Sequence, residues 1–292
     1  MLYTPTLPVP ADKASDALSN NRPDSLPNQS SNRTQVLPGL SSDIEGILVD
    51  NIPDLPALFD RLRQEAQRPG KSVFAALNVH IANIAKQNPT LRQFLQDSEV
   101  VYCDGAGIVL ASKLLGQPLP CRFTAADWLF DLWAYLSQQG ITAFYLGGEP
   151  GIAEKALAQF EAHHPKHTIL GVHHGFILQD QSLERQVMDR INALQPDVLF
   201  VGFGCPLQEE WIQQHKDALN VSVFYPIGAT LDYLTHKVPR CPAWMGENGL
   251  EWLFRFLVEP RRMFRRYIMG NPWFLWRIVG LALQQRLKRA FR

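Results

Sequence analysis

With 292 residues, 46% of them hydrophobic, the chain has ample material for a globular core, which excludes wholesale disorder. Lys+Arg and Asp+Glu each number 28, so the formal charge is zero, yet ten Lys/Arg and only two acids fall from Leu250 onward. The tail therefore carries about +8 on a body of about −8, and its Trp, Phe and Tyr content points it toward an anionic lipid interface rather than nucleic acid.

Four cysteines, Cys103, Cys121, Cys205 and Cys241, stand singly, with no CxxC pair and no histidine at finger spacing, which suits a reducing cytoplasm. No basic-then-apolar signal pattern opens the sequence. No run approaches the roughly 20 apolar residues that span a bilayer, because Trp273–Leu283 is interrupted by Arg277.

Residues 1–42 are loaded with Pro, Ser, Asn and Asp without hydrophobic period and are expected to form a disordered leader. Order is expected from a short strand at Glu45–Asp50, then a helix over Asp54–Ala66 with Leu55, Leu58, Leu62 and Ala66 on one face. Apolar runs at Ser72–Asn78, Glu99–Cys103, Thr142–Gly148, Thr168–Val172, Asp197–Gly204 and Val221–Gly228 then alternate with amphipathic stretches. That pattern predicts an α/β fold: a Rossmann-like, mostly parallel sheet with covering helices over 43–244. After Trp244 the sequence turns Arg-rich and aromatic-rich, with breaks at Pro260 and Pro272, and predicts a helical appendage over 245–292.

In open α/β sheets ligands sit outside the carboxyl ends of the strands, which directs attention to Asn78, Asp104, Gly147, Gly204 and Gly228. Asp104 follows a strand and is flanked by glycine, so it could serve as a general base on a sugar hydroxyl or as the N-cap of the next helix. The strand-to-helix loops Leu146–Gly151 (with Gly147 and Gly148) and Val201–Pro206 (with Gly204) would offer backbone N–H groups to a diphosphate. Gln208 could bond a sugar or phosphate, while Glu209 reads as a complement to the helix dipole. Arg122 and Arg240 lie in loops near the crevice and could neutralise a diphosphate leaving group, or be ordinary surface arginines. His163, His164, His167, His173 and His174 have no carboxylate at ligand spacing. No metal site and no cofactor are expected, and no DxD pair, Walker loop or GxSxG elbow occurs.

Taken in order, Asn78, Cys103–Ile108 (CDGAGI), Arg122–Asp127 (RFTAAD), Tyr145–Gly151 (YLGGEPG), Gly171–Phe176 (GVHHGF), Pro196–Glu209 (PDVLFVGFGCPLQE), Arg240–Pro242 (RCP) and Gly249–Trp252 with Arg255 and Glu259–Arg261 resemble the motifs of the WecG/TagA/CpsF glycosyltransferases, family 26. The resemblance covers about residues 45–270. It implies an inverting, metal-independent transferase that moves a sugar, typically N-acetylmannosamine, from a UDP donor to a polyprenyl-diphosphate-linked sugar on the cytoplasmic face of the plasma membrane. By the same resemblance Asp104 matches the general base, Asn78 a substrate contact, Arg122 a phosphate or sugar contact and Gln208 a polar group near the donor. Asp232 matches a position near the nucleotide, and the tail matches a lid and membrane-docking element. This sequence departs from the family at Ala76, where a Thr is usual, at Ala125 in place of Gly, and at Thr235-His236 in place of Ala-Gly.

Two other readings compete: a nicotinamide-dependent oxidoreductase, for which the third glycine and the acidic ribose ligand are missing, and a non-catalytic membrane adaptor on the same fold. A homo-oligomer is compatible with the sequence, and no nucleic-acid partner is expected.

Overall fold

The computed structural model describes residues 41–239, 241, 242, 244, 245 and 250–290; residues 1–40, and with them nearly all of the predicted leader, lie outside these. The first element is a hairpin, β1 (Ser41–Ile44) and β2 (Ile47–Asp50), paired antiparallel across Ile44 and Ile47. Where a single strand was expected at Glu45–Asp50, the structure has two, joined by a turn at Glu45 and Gly46. The chain turns at Glu45 (φ 56°) and Gly46 (φ 83°), the two positive φ values that a tight two-residue hairpin turn requires. The hairpin covers the edge of the main sheet, where Asp50 Oδ2 accepts a hydrogen bond from Val101 N at 2.7 Å.

Helix α1 (Leu55–Gln67) starts where Asp54 accepts from Ala57 N and Pro56 occupies the first turn. Six strands follow: β3 (Ser72–Leu77), β4 (Val100–Cys103), β5 (Ala143–Gly147), β6 (Ile169–His173), β7 (Val198–Gly202) and β8 (Val223–Pro226). They form one parallel sheet in the order β4-β3-β8-β7-β5-β6. All six lie within the expected runs or one residue beyond them. The order is not the 3-2-1-4-5-6 of the dinucleotide fold, so the likeness to it is one of layers, not of path.

Alternate residues of β3, β4, β5, β7 and β8 enter opposite cores, which is why these strands read as unbroken apolar runs, while the edge strand β6 leaves Leu170 exposed. Leu77, Leu146, Val201 and Phe224 face one core, with α2 (Val79–Ala85), α3 (Pro89–Asp97), α4 (Ala106–Leu114), α7 (Gln181–Leu194) and α8 (Leu207–His215). Phe74, Tyr145, Phe200 and Tyr225 face the other, with α1, α5 (Ala125–Gln138), α6 (Ile152–Glu161) and α9 (Thr230–Leu234). Trp133, wholly buried on α5, meets Phe160 edge-on at 5.4 Å, and Phe200 stacks on Tyr225 at 5.5 Å. Each fully buried side chain of this size contributes about 1.5–3 kcal/mol.

Beyond the sheet come α10 (Glu251–Val258), α11 (Pro260–Met263), a π-helical turn (Phe264–Met269) and α12 (Gly270–Ala290). The appendage belongs to the same packed unit as the sheet. Phe274 and Ile278 are buried in the core that α2 and α4 share. Between them Arg277 donates from Nε to Glu45 Oε1 at 2.8 Å, from Nη2 to Glu45 Oε2 at 2.7 Å and from Nη1 to Asn83 Oδ1 at 3.0 Å. Its guanidinium also lies 3.8 Å from the Trp273 ring centre. The two charged side chains are 8% and 7% exposed. The residue that interrupts the apolar run Trp273–Leu283 is thus the anchor of the helix, and among the described residues no helix is long and apolar enough to cross a membrane.

Removing one member of a buried bidentate pair strands the other charge, a loss of about 3–5 kcal/mol. Glu45→Ala is expected to lower the unfolding free energy by that amount in a urea titration and to speed amide exchange along α12. Parental stability and exchange would remove the pair from its anchoring role.

Candidate active site

A cavity of about 560 Å³ opens at the carboxyl ends of β3, β4, β7 and β8, and the appendage forms one wall of it through Trp252, Arg255, Met263, Arg266, Tyr267 and Phe274. Of the residues picked out by sequence, Asn78, Asp104, Arg122, Gly204 and Gln208 line it, as does Gly228.

Asp104 lies one residue beyond β4, where its N–H donates to Leu77 O at 2.9 Å and carries the sheet pairing past the strand. Its Oδ2 accepts from Asn78 Nδ2 at 3.0 Å. Asn78 in turn caps α2, with Oδ1 accepting from Ile81 N at 2.9 Å. One amide thus ties the helix start to the carboxylate and fixes its direction. The N-cap of α4 is Gly105, at φ 95°, a conformation that favours glycine, so Asp104 does not cap that helix. The loop after α4 folds back over the end of β4 through Phe123 N donating to Cys103 O at 2.8 Å, which brings half-buried Arg122 to the cavity. There Arg122 Nη1 donates to Thr124 Oγ1 at 3.0 Å. Burial, with the Asp104 charge adding to it, pushes the adjacent Cys103 thiol far up, so it stays protonated and unreactive.

Gln208 is 4% exposed. Its Oε1 accepts from Gly204 N at 3.2 Å and from Gly228 N at 3.0 Å, and its Nε2 donates to Glu209 Oε1 at 2.8 Å. The side chain pins the loops after β7 and β8 to each other. Glu209, read from sequence as a helix-dipole complement, is instead buried in the cavity wall, and burial pushes its carboxyl pKa upward. Arg255 stacks 4.6 Å from the Tyr233 ring centre, and Arg266 lies 5.4 Å from that of Tyr267. The aromatic wall was signalled in the sequence only as composition.

Gly147, Gly148 and Asp232 do not line this cavity. A Cβ on Gly147 would stand 2.6 Å from Gly202 Cα, so glycine there is a condition of strand packing. Gly148 joins neighbouring strand ends, donating to Gly202 O at 3.2 Å and accepting from Gly175 N at 2.8 Å. Asp232 faces Lys237 at 3.7 Å, and Lys237 also pairs with Glu149 at 2.6 Å. Arg240 lies outside the described residues. Among the described residues no three His, Cys, Asp or Glu side chains gather as a metal site; His167 pairs with Glu161 at 3.1 Å and His164 stacks on Phe160 at 4.5 Å.

Residues 42–290 match the family described as glycosyl transferase WecG/TagA/CpsF. The chain is similar to an N-acetylglucosaminyldiphosphoundecaprenol N-acetyl-beta-D-mannosaminyltransferase of Bacillus spizizenii, 30% identical over 67% of this chain and 74% of that one. It is also similar to a Staphylococcus aureus protein of the same name, 27% identical over 85% of this chain and 95% of that one.

Replacing Gln208 by Leu leaves the N–H groups of Gly204 and Gly228 without their acceptor, and a buried group left unpaired costs about 1–3 kcal/mol. The ligand-free Gln208→Leu protein is expected to melt at a lower temperature than the parent by a matching amount. An unchanged melting temperature would show that the side chain holds no loop.

Proposed function

Because the chain belongs to the WecG/TagA/CpsF glycosyltransferase family and is a glycosyltransferase, we propose that it moves N-acetylmannosamine, or a related hexose, from a UDP donor to a polyprenyl-diphosphate-linked sugar in cell-surface polysaccharide synthesis. Membership in a family of transferases sets aside the nicotinamide and adaptor readings. The observation that carries the proposal is the aimed carboxylate: Asp104, held by Asn78, beside Arg122 in a cavity that the basic appendage walls.

In the proposed reaction the Asp104 carboxylate takes the proton of the acceptor hydroxyl while that oxygen attacks the anomeric carbon from the face opposite the nucleotide. The new C–O bond forms as the bond to the diphosphate breaks, UDP leaves with the electron pair, and the configuration inverts. Arg122 and Arg255 supply fixed positive charge to the departing diphosphate, which guanidinium groups do at any working pH without a metal ion.

The acceptor's lipid stays in the bilayer, so the cavity has to be brought to the membrane. Helix α12 is suited to this because its inward face (Phe274, Ile278) is buried while Trp276, Val279, Leu283 and Leu287 form an exposed stripe on the opposite side; Trp276 is 74% exposed. Exposed Arg261 and Arg265 lie beside exposed Phe264, Ile268 and Met269, a mixture that fits an anionic headgroup layer. We place the protein peripherally on the inner face of the plasma membrane on these grounds.

Asp104→Asn keeps the shape and the Asn78 contact, so it is expected to melt like the parent and to transfer about 10²-fold more slowly, read as product by mass spectrometry. Transfer is also expected to survive excess chelator. Equal rates for mutant and parent would return Asp104 to a structural role, and strict dependence on added Mg²⁺ would overturn the metal-free displacement.

Truncating the appendage would open the core around Phe274 and Ile278, so surface substitutions are the better probe of docking. Each cation near an anionic surface is worth about 1 kcal/mol, roughly fivefold in affinity, and fades with salt. Arg261→Glu with Arg265→Glu, and separately Trp276→Ala, are expected to weaken sedimentation with phosphatidylglycerol vesicles while leaving the melting temperature in place. Vesicle binding unchanged in both variants would place the membrane contact elsewhere.

A further inference from the structure

Glu209 is 3% exposed and forms part of the cavity wall at the start of α8. Its Oε1 accepts from Gln208 Nε2, but its Oε2 is buried without a hydrogen-bond partner. The Cys205 thiol, a weak donor, interacts with the carboxyl, and Glu210 and Arg266 face the same corner, but no N–H or O–H of the described residues reaches Oε2. A polar atom left in this condition destabilises the fold, and a buried carboxyl without a cation partner does so more. Glu210, less buried, already places a negative charge in the first turn of α8, so the helix dipole does not call for a second one beneath it. What remains for Oε2 is a ligand.

We infer that Glu209 is a sugar-contacting residue, its free Oε2 hydrogen-bonding a hydroxyl of the transferred sugar when the donor fills the cavity. The inference rests on the nucleotide-sugar reading above and goes beyond it by assigning the group that recognises the sugar itself. The diphosphate is a poor occupant for this corner because a carboxyl repels it, and Arg122 and Arg255 stand elsewhere in the wall to receive it. A hydroxyl both donates and accepts, so it satisfies a carboxyl in either protonation state. The carboxyl on the β4 side, Asp104, serves the acceptor, which leaves the one on the β7 side to the donor. Gln208 holds Oε1 from within the protein, which leaves Oε2 as the oxygen open to a ligand, and the side-chain torsions of a glutamate allow the small adjustment that contact needs without moving α8.

The test is calorimetric titration of the full chain, Glu209→Gln and Glu209→Leu with UDP and, separately, with UDP-N-acetylmannosamine, alongside transfer rates and melting curves at neutral pH. UDP is expected to bind all three alike. UDP-N-acetylmannosamine is expected to bind Glu209→Leu about tenfold or more weakly, with a comparable or larger loss of transfer, while Gln, which can still hydrogen-bond, loses less. Glu209→Gln, which keeps an acceptor for Gln208 and removes a carboxyl whose ionisation burial opposes, is expected to melt at or above the parental temperature, whereas Glu209→Leu leaves Gln208 Nε2 unpaired and melts somewhat lower. Undiminished affinity of Glu209→Leu for the nucleotide sugar overturns the inference. So does an equal loss of UDP and UDP-sugar binding together with a lowered melting temperature in Glu209→Gln, which marks a structural residue. Failure of UDP to bind the unaltered chain is a different result, and it overturns the nucleotide-sugar reading on which the inference stands.

Discussion

Glu45 and Arg277 are 232 positions apart in the chain, and they are buried against each other with two parallel hydrogen bonds. Charges removed from water this far cost free energy, which is recovered only when the geometry is bidentate and the remaining donors find partners; here Asn83 and the Trp273 ring complete the set. Through this contact the amino-terminal hairpin and α12 become one body with the sheet. Phe274, which lines the cavity, sits three residues before Arg277, so the wall that the appendage builds depends on the same anchor. If the pair failed, the cavity would lose a side and its basic residues would lose their positions.

The rest of the site is assembled by short polar bonds at strand ends. Asn78 joins the start of α2 to Asp104, and Gln208 joins the loops after β7 and β8. Each uses one side chain to fix two backbone segments, so the geometry is set by groups buried or half-buried in a rigid scaffold rather than by mobile side chains. Against this background the unsatisfied atoms stand out. Glu209 Oε2 and Arg266 Nε are buried without hydrogen-bond partners, and both belong to residues of the cavity wall. Others lie away from the cavity, among them Trp128 Nε1, Trp133 Nε1 and Tyr225 OH.

The same economy explains the appendage. Its basic residues do not share one job: Arg277 is an internal anchor, Arg255 and Arg266 belong to the cavity wall, and Arg261 and Arg265 face outward. Its apolar residues divide likewise between a face that enters the core and a stripe that does not. A single count of charge or aromatics in the tail merges these roles.

The sequence by itself determined the α/β class, the six strands within the expected runs or a residue beyond, and the location of chemistry at strand ends, because burial on both sheet faces imposes long apolar runs and because strand-to-helix turns need Gly, Asp or Asn. It also carried the family, through motifs that keep their order along the chain. It did not determine the strand order, which depends on how crossovers pack. Nor did it show that Ser41–Asp50 is a hairpin, since a positive φ at Glu45 has no strong local signature. Sequence did not show that Gly147 also packs against the backbone of Gly202, that Gln208 also joins two loops, or that Glu209, read as a helix-dipole charge, lies in the cavity wall. Arg277 looked like an interruption and is an anchor. In each case a residue's local pattern fixes its element and its type, while its partner comes from a segment distant in the chain, and only the packed structure decides which partner that is.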